Sequence, residues 1–196
     1  MDHRADEATL NLIFREARTH TGWLDRPVER ELLVQVWDLA RMGATSANSM
    51  PMRVVFVATP KAKERLAPAL APGNLVKTMA APVTAIFAHD LEFYEQLPRL
   101  FPHGDARSWF AGNEELIRIT AFRNGSLQAA YFMLAARAMG LDCGPMSGFD
   151  NALVDAEFFP GGSVKSNFLC NLGHGDSALL YPRGPRLDFD EACQIL

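Results

Sequence analysis

The chain has 196 residues, of which 48% are hydrophobic and 21% charged, and its formal net charge at pH 7 is −4. This is the composition of an ordinary globular protein with a sizeable core, and the acidic balance argues against a dedicated nucleic-acid or membrane-surface binder. No uncharged apolar stretch is long enough to span a bilayer, and residues 1–10 lack the basic start and apolar core of a signal peptide. We therefore expect a cytoplasmic protein with a single domain over residues 1–196 and no nucleic-acid or membrane partner.

The first predicted element is an amphipathic helix. From Glu29 to Arg41 the apolar residues fall on one helical face, and Gly43 follows as a terminator. A loop with the sequence ATSANSMP, at residues 44–51, then leads into a predicted strand at Val54–Ala58. Hydroxyl and amide side chains are thus concentrated between a helix and a core strand.

The middle of the chain alternates short elements with connections. Residues 59–70 predict a turn and a short helix, and residues 71–82 form a connection punctuated by glycine and proline. The segment Val83–Asp90 is rich in β-formers and predicts the second strand. A short helix is expected over residues 91–100, and residues 101–109 must form a loop.

The longest predicted helix runs from about Asn113 to Met139 and ends at Gly140. Between Asn124 and Ala136 it carries no charge, so most of its surface is apolar. Such a helix lies in the core or against a partner chain. In a protein of this size we expect both, and therefore a homodimer.

The remaining chain predicts a turn-rich loop at residues 141–150, a short helix at 151–159 and a third strand at Ser166–Asp176. The last twenty residues have too few regular signals for a domain, and we expect them to drape over the body or over a partner. Helices and strands are mixed without βαβ alternation, which places the fold in the α+β class.

Several kinds of chemistry lack their motifs. The segment 160–166 is not a phosphate-binding loop because Val164 stands where a glycine must precede the lysine. No dinucleotide fingerprint and no metal-ligand spacing is present, so we expect no protein-bound metal. Cys143 and His174 would suit a nucleophile and its base, but a packed, reduced thiol and a loop imidazole are the more common arrangement.

Short polar clusters recur between the predicted core elements. They are ARTHTGW (17–23), ATSANSMP (44–51), GNLVK (73–77), GPMSGF (144–149) and RGPR (183–186). Together and in this order they resemble the FMN-dependent nitroreductase family, from about Arg15 to the C-terminus. The resemblance implies a central, mostly antiparallel sheet flanked by helices, a long helix at a homodimer interface and an extended C-terminal tail.

The resemblance implies that both ends of the chain hold the FMN phosphate. Arginine presents the planar pair of donors that phosphate oxygens accept well. Ala17 and Thr21 stand where the family usually has basic residues, so the remaining side chains must do most of the binding. The residues that the resemblance assigns here are Arg18, Thr19, His20, Arg183 and Arg186.

Other clusters match the family's contacts with the flavin ring and ribityl chain. Two-electron reduction leaves negative charge near N1 and O2 of the ring, which a lysine at the position of Lys77 would stabilise. Backbone N–H groups near Ser147 and Gly148 would face flavin N5, the atom that receives and passes the hydride. The residues assigned to these contacts are Thr45, Ser46, Asn48, Asn74, Lys77, Pro145, Met146, Ser147 and Gly148.

Within the family, four segments look closely like malonic semialdehyde reductases of the pyrimidine-degradation pathway; they are residues 93–110, 120–131, 141–150 and 163–167. This resemblance implies ping-pong hydride transfer from NAD(P)H through FMN to malonic semialdehyde (3-oxopropanoate), which gives 3-hydroxypropanoate without a catalytic side chain. The substrate carboxylate must be paired or stay hydrated. The candidate partners are His103, Arg107 and Arg123.

Three alternatives stay open. Simple aldehydes are usually reduced directly by nicotinamide, so a broad-specificity NAD(P)H nitro or quinone reductase also fits the resemblance. A flavin-binding protein without turnover would follow if the phosphate contacts are too weak. Finally, Arg107 would have no substrate role if it pairs with Asp105 or Asp90 on the surface.

Overall fold

Four antiparallel strands form the central sheet of the computed structural model, which describes residues 4–196. They are β1 (Met52–Val57), β2 (Val83–Asp90), β3 (Asp142–Met146) and β4 (Val164–Gly173). Their order in the sheet is β1-β2-β4-β3, so β2 and β4 are central. The predicted α+β class and the antiparallel sheet are confirmed.

Eight α-helices surround the sheet among the described residues. They are α1 (Glu7–Leu10), α2 (Arg30–Ala40), α3 (Pro60–Leu66), α4 (Pro72–Ala80), α5 (Leu97–Leu100), α6 (Glu114–Ala138), α7 (Asn151–Phe158) and α8 (Phe189–Ala192). The two long predicted helices are confirmed as α2 and α6. The side chain of Asn113 caps the first turn of α6 by accepting from the N–H of Leu116 at 3.1 Å, and Gly140 follows the helix with φ of +80°.

Strand β2 is buried on both faces and divides the core into two clusters. Because side chains alternate along a strand, Phe87 faces one cluster with Phe132 of α6, while Ile86 faces the other with Leu66 of α3. The rings of Phe87 and Phe132 meet edge to face at 5.3 Å between centroids. Burying a side chain of this size contributes about 2–3 kcal/mol, so α6 is held firmly against the sheet.

Two predictions from local sequence signals are wrong. Residues 71–82, predicted as a connection, contain the nine-residue helix α4, because Pro72 at the first helical position fixes φ without losing a needed N–H. Residues 141–150, predicted as a loop, contain β3. Its Pro145 is tolerated because β3 lies at an edge of the sheet, where one row of N–H groups is not required for the ladder.

The N-terminal segment pairs with the outer side of β3. Thr19 and Cys143 form a parallel bridge, and the N–H of His20 donates to the carbonyl of Cys143 at 3.0 Å. Gly144 permits this approach, since a Cβ there would lie 2.5 Å from the carbonyl oxygen of His20. The segment that the family resemblance assigns to the phosphate is therefore fixed by the sheet.

The tail after β4 has little regular structure and runs back to the N-terminal segment. Its apolar side chains at Tyr181, Leu187, Phe189 and Ile195 are mostly exposed. A tail of this kind agrees with the prediction of an extended C-terminal segment. Among residues 4–196, no helix combines the length and hydropathy that crossing a membrane requires.

Candidate functional site

A basic cleft of about 570 Å³ lies where the two ends of the chain meet. The N-terminal segment, the last turn of α6 and the C-terminal tail line it, and none of its described lining residues is Asp or Glu. We call it the arginine cleft, after the five arginines that line it: Arg15, Arg18, Arg137, Arg183 and Arg186. In a chain with a net charge of −4, this concentration of cations creates a local positive potential that favours an anion.

The arginines that were predicted to bind phosphate make their bonds to carbonyls in this cleft. Arg18 donates to the carbonyl of Tyr181, and Arg183 donates through Nη2 to the carbonyl of Ala17 at 2.9 Å. Arg186 donates to the carbonyls of its own turn at 3.0 Å. Neutral carbonyls orient the guanidinium groups without cancelling their charge, so the charge remains available to an anion.

Arg15 differs from the other cleft arginines because it has a carboxylate partner. Its Nη1 lies 2.5 Å from Oε2 of Glu7, and it also donates to the side chain of Asn11 at 3.2 Å. Thr19, also predicted to contact the phosphate, lines the cleft together with Arg18. The structure thus brings together Arg18, Thr19, Arg183 and Arg186, from opposite ends of the chain.

His20 does not line the arginine cleft. It is buried, and its Nε2 lies 3.3 Å from Oδ1 of Asp142 on β3. Its Nδ1 is buried without a hydrogen-bond partner among the described residues. A Cβ at Gly175 would lie 1.9 Å from that nitrogen, so a glycine is needed for the ring to pack. The geometry gives His20 a place between the N-terminal segment and β3 rather than beside the phosphate cleft.

The polar loop at residues 44–51 uses several of its predicted site residues to hold its own shape. The hydroxyl of Thr45 accepts from the N–H of Met50 at 3.2 Å, and Nδ2 of Asn48 donates to the carbonyl of Leu100 at 2.9 Å. The N–H of Ser46 donates to Oδ1 of Asn124 on α6 at 2.9 Å. The side chain of Ser46 remains exposed and free to meet a ligand.

Three residues of the polar loop adopt left-handed backbone angles without being glycine. The φ values are 51° at Ala47, 49° at Asn48 and 41° at Met50. Asparagine tolerates this region, whereas alanine and methionine pay roughly 1 kcal/mol or more each. Strain of this kind persists only where the surroundings impose it, here through Asn124 and the carbonyl of Leu100.

A second group of predicted residues meets at the start of α4. Nδ2 of Asn74 donates to the carbonyl of Gly148 at 2.7 Å, and the N–H of Ala71 donates to the same oxygen at 3.0 Å. A Cβ at Gly148 would lie 2.6 Å from Nδ2 of Asn74. The turn after β3, with Pro145, Met146, Ser147 and Gly148, is therefore tied directly to the helix that carries Asn74 and Lys77.

The main chain at Lys77 is fixed from two sides. Nε1 of Trp23 and Nδ2 of Asn171 each donate to the carbonyl of Lys77 at 3.3 Å. Trp23 belongs to the N-terminal segment and Asn171 to β4, so both the sheet and the segment beside the cleft hold α4. The lysine side chain is half-buried.

A buried lysine that sequence reasoning missed lies below α4. Lys63 of α3 is 4% exposed, and its Nζ donates to the carbonyl of Thr78 at 2.7 Å and to Oγ1 of Thr84 at 2.5 Å. Thr84 in turn donates to Oδ1 of Asn171 at 2.7 Å. Burial lowers the pKa of Lys63 to about 8. One feature of the sequence indicates that Lys63 is buried: it lies one turn before the core residue Leu66, on the same face of the helix.

The predicted substrate residues lie outside the arginine cleft. Arg107 forms a two-pronged pair with Glu95, with both N–O distances at 2.7 Å, and its guanidinium lies 5.8 Å from the ring centroid of Tyr94. The hydrogen bonds between Arg107 and Glu95 raise the pKa of Arg107 and lower that of Glu95. His103 is exposed beside Phe101, and Arg123 is exposed on α6.

The structure corrects the predicted surface pairing of Arg107. Its partner is Glu95, which lies twelve residues before it, and not Asp105 or Asp90. Asp90 pairs instead with Arg53 at 2.7 Å. Two of the donors that would recognise a substrate carboxylate are therefore already bound to a carboxylate of the chain.

Two of the three thiols, those of Cys143 and Cys170, lie in the core, whereas Cys193 in the tail is exposed and does not fit the expectation of a packed thiol. Cys143 is fully buried with its Sγ 3.8 Å from the carbonyl of Met133, and no hydrogen bond in the described chain joins it to His174. Hydrogen bonding with Cys143 and burial raise the pKa of the Cys170 thiol well above its usual range. Buried thiols of this kind are inert, which speaks against the nucleophile–base reading.

A protein-family model described as the Nitroreductase family matches residues 15–161, which is most of the chain. The chain belongs to the nitroreductase family. A Burkholderia lata protein with the provisional name NADH dehydrogenase/NAD(P)H nitroreductase is 61% identical over 189 residues, covering 96% of this chain and 97% of its own. A Stenotrophomonas maltophilia protein with the same provisional name is 60% identical over 195 residues, covering 100% of both chains.

Solved structures of other nitroreductase-family proteins share the fold. A protein from Bacillus subtilis, provisionally named a nitroreductase, matches with a TM-score of 0.87 at 23% identity, covering 97% of this chain and 100% of its own. A second structure, from Exiguobacterium sibiricum, has the same provisional name and was solved in complex with FMN. It matches with a TM-score of 0.85 at 18% identity, covering 98% of this chain and 99% of its own. The family predicted from the polar clusters is confirmed.

Proposed function

We propose that this protein is an NAD(P)H-dependent FMN oxidoreductase. The observation that carries the proposal is the arginine cleft, in which Arg18, Arg183 and Arg186 converge without a lining carboxylate among the described residues. A phosphate dianion matches both the charge and the paired-donor geometry of such a group. The provisional names of the close relatives, NADH dehydrogenase/NAD(P)H nitroreductase, support the same class of reaction.

The residues of the chain take distinct roles in this proposal. FMN, when bound, supplies a ring that accepts a hydride from a reduced nicotinamide and passes it to a second substrate. The arginine cleft holds the phosphate, and Asn74 with the Gly148 turn frames the ring. Lys77 brings a positive charge to the edge of the ring where reduction adds negative charge. Its main chain is already fixed by Trp23 and Asn171, so only its side chain has to adjust to the ring.

We also propose that the active form is a homodimer. The polar loop is held by Asn124, whereas Arg137 lines the arginine cleft, and these residues are thirteen positions apart on α6. That spacing corresponds to about 20 Å along a helix. A second copy that brings its polar loop to this chain's cleft would complete the site. It would also cover apolar side chains that α6 exposes, including Phe122, which is 51% exposed, and Leu127.

For the second substrate, the sequence segments that look like malonic semialdehyde reductases support 3-oxopropanoate, with Arg123 and His103 as candidate carboxylate partners. A broad nitro or quinone reductase is the second candidate. It is favoured by one observation, the pairing of Arg107 with Glu95, which leaves this arginine poorly placed to recognise a substrate carboxylate. The provisional names of the relatives favour the same candidate.

The test is an anaerobic half-reaction experiment on the purified protein. We expect flavin absorbance that bleaches when NADPH or NADH is added. Recovery with malonic semialdehyde and only slow recovery with nitrofurazone would support the aldehyde reductase. Recovery with nitro compounds or quinones alone would support the broad reductase. A protein that binds added FMN but never oxidises NAD(P)H would be a flavin-binding protein without turnover, and one that does not bind FMN would overturn the proposal.

A further inference from the structure

We propose that Arg137, at the C-terminal end of α6, is a further ligand of the flavin phosphate. This inference rests on the proposed function, because it needs a phosphate in the arginine cleft. Arg137 lines that cleft, although it lies far from both terminal segments in sequence. It supplies a positive charge where the neighbouring lining residues Ala17 and Thr21 supply none.

The guanidinium of Arg137 has unused donors. Its Nη1 donates to the carbonyl of Ile13 at 3.3 Å, which is a long hydrogen bond. Its Nε is buried and has no partner in residues 4–196. A buried donor without an acceptor costs about 1–3 kcal/mol, more for a charged group. An anion in the cleft would supply the missing acceptor, and the two oxygens of a phosphate suit the fork formed by Nε and its neighbouring nitrogen.

The charge balance of the arginine cleft also supports a phosphate contact for Arg137. Arg15 is neutralised by Glu7, which leaves Arg18, Arg137, Arg183 and Arg186 without a carboxylate partner among the described residues. A phosphate monoester carries nearly two negative charges at pH 7. Removing one of four facing cations should therefore weaken phosphate binding measurably without abolishing it.

The place of Arg137 on α6 favours a cation for electrostatic reasons. The C-terminal end of a helix carries the negative end of the helix dipole, which repels an anion. Arg137 lies in the last turn of α6 and lines the cleft. Its guanidinium is stabilised by the dipole and offsets the repulsion that a phosphate would otherwise meet.

A purely structural role for Arg137 predicts a different result. In that case Arg137 would serve only to join α6 to the carbonyl of Ile13. Its loss would then loosen the whole cofactor site and weaken every flavin alike. Riboflavin separates the two roles, since it shares the ring and ribityl chain of FMN and lacks the phosphate.

The experiment titrates the flavin-free protein with FMN and with riboflavin, following the quenching of flavin fluorescence. For Arg137→Ala we expect FMN affinity to fall by about tenfold to a hundredfold, as for loss of a charge-assisted hydrogen bond, and riboflavin affinity to change less than twofold. Arg137→Lys should recover part of the loss. The matched control is Arg118→Ala on the same helix, whose side chain is exposed and paired with Glu115; it should change neither affinity.

Equal losses for FMN and riboflavin, or no loss for either, would overturn the role of Arg137. If Arg137→Ala does not fold, Arg137→Gln carries the same comparison, because glutamine keeps the aliphatic stem and a polar end while losing the charge. The wild-type protein reports separately on the proposed function. A wild type that binds FMN no better than riboflavin has no phosphate site, and then the proposed function itself fails.

Discussion

Asn171 on β4 donates a hydrogen bond of 3.3 Å to the main-chain carbonyl of Lys77, and it shares that acceptor with the indole of Trp23. The sheet and the N-terminal segment therefore both fix the helix that carries this lysine. A helix anchored in this way fixes the point from which the lysine side chain extends, which favours electrostatic stabilisation of a nearby ligand by its charge.

Lys77→Met should lower the reduction potential of bound FMN and slow its reduction by NAD(P)H by about tenfold to a hundredfold, because a positive charge beside the ring is lost. The potential is measured by spectroelectrochemical titration and the rate by single-turnover mixing. Lys61→Met, at an exposed position on α3, is the control and should change neither quantity. An unchanged potential in Lys77→Met would remove the lysine from the flavin edge.

Lys63 should make the folded protein more stable as the pH rises above about 8. Burial lowers its pKa from 10.5 to about 8, so between these values the unfolded chain binds more protons than the folded one and stability rises with pH. The difference in unfolding free energy between wild type and Lys63→Met should shift in favour of wild type by up to roughly 3 kcal/mol over this window. Urea unfolding at pH 8 and 10.5 gives this difference, and equal values at both pH values would contradict it.

Asn124→Leu should loosen the polar loop. Asn124 is buried and its Oδ1 is the acceptor for the N–H of Ser46, while its Nδ2 donates to the carbonyl of Thr120. Leucine has a similar size but leaves that N–H without its acceptor, at a cost of about 1–3 kcal/mol. We expect faster amide exchange over residues 44–51 and a lower midpoint in urea, while Arg118→Ala leaves both unchanged. Unchanged exchange would show that Leu100 and Thr45 hold the loop without Asn124.

Cys143→Ala should leave NAD(P)H oxidation unaffected. The thiol is buried and contacts a main-chain carbonyl, so it is not available to attack a substrate. Stability should fall by about 1 kcal/mol, since a small buried group is removed from the core. Steady-state rates and thermal unfolding are measured on the same preparation. Loss of turnover at full stability would restore the nucleophile–base hypothesis.

Long periodic elements were predictable from the sequence, and short elements that depend on neighbours were not. Three such patterns extend over many residues: the apolar face of α2, the charge-free stretch of α6 and the β-forming residues of β2. Their length outweighs single residues that do not fit. Strand β3 contains Gly144 and Pro145, which locally signal a turn. Its extended form is imposed by β4 on one side and by His20 on the other, and neither partner is near it in sequence.

The candidate site likewise contains residues that the sequence predicts and residues that only the fold brings together. Arg18 and Arg183 were found because each lies in a motif that the family shares. Arg137 lies in no such motif, and only the folded chain places it beside them. The pairing of Arg107 with Glu95 was equally hidden, because the intervening loop decides which of several nearby acids it meets. The sequence does carry one hint for Arg137, the return of a cation directly after a charge-free stretch of helix.

The bonds across the arginine cleft also join the chain's two ends. Arg18 holds the carbonyl of Tyr181, and Arg183 holds the carbonyl of Ala17, so the same guanidinium groups would bind an anion and retain the tail. Because coupled equilibria are reciprocal, a bound phosphate should protect the tail from proteolysis, and clipping the chain before Tyr181 should release the phosphate. The rate at which a protease cuts the tail should therefore fall as a larger fraction of the protein carries its cofactor.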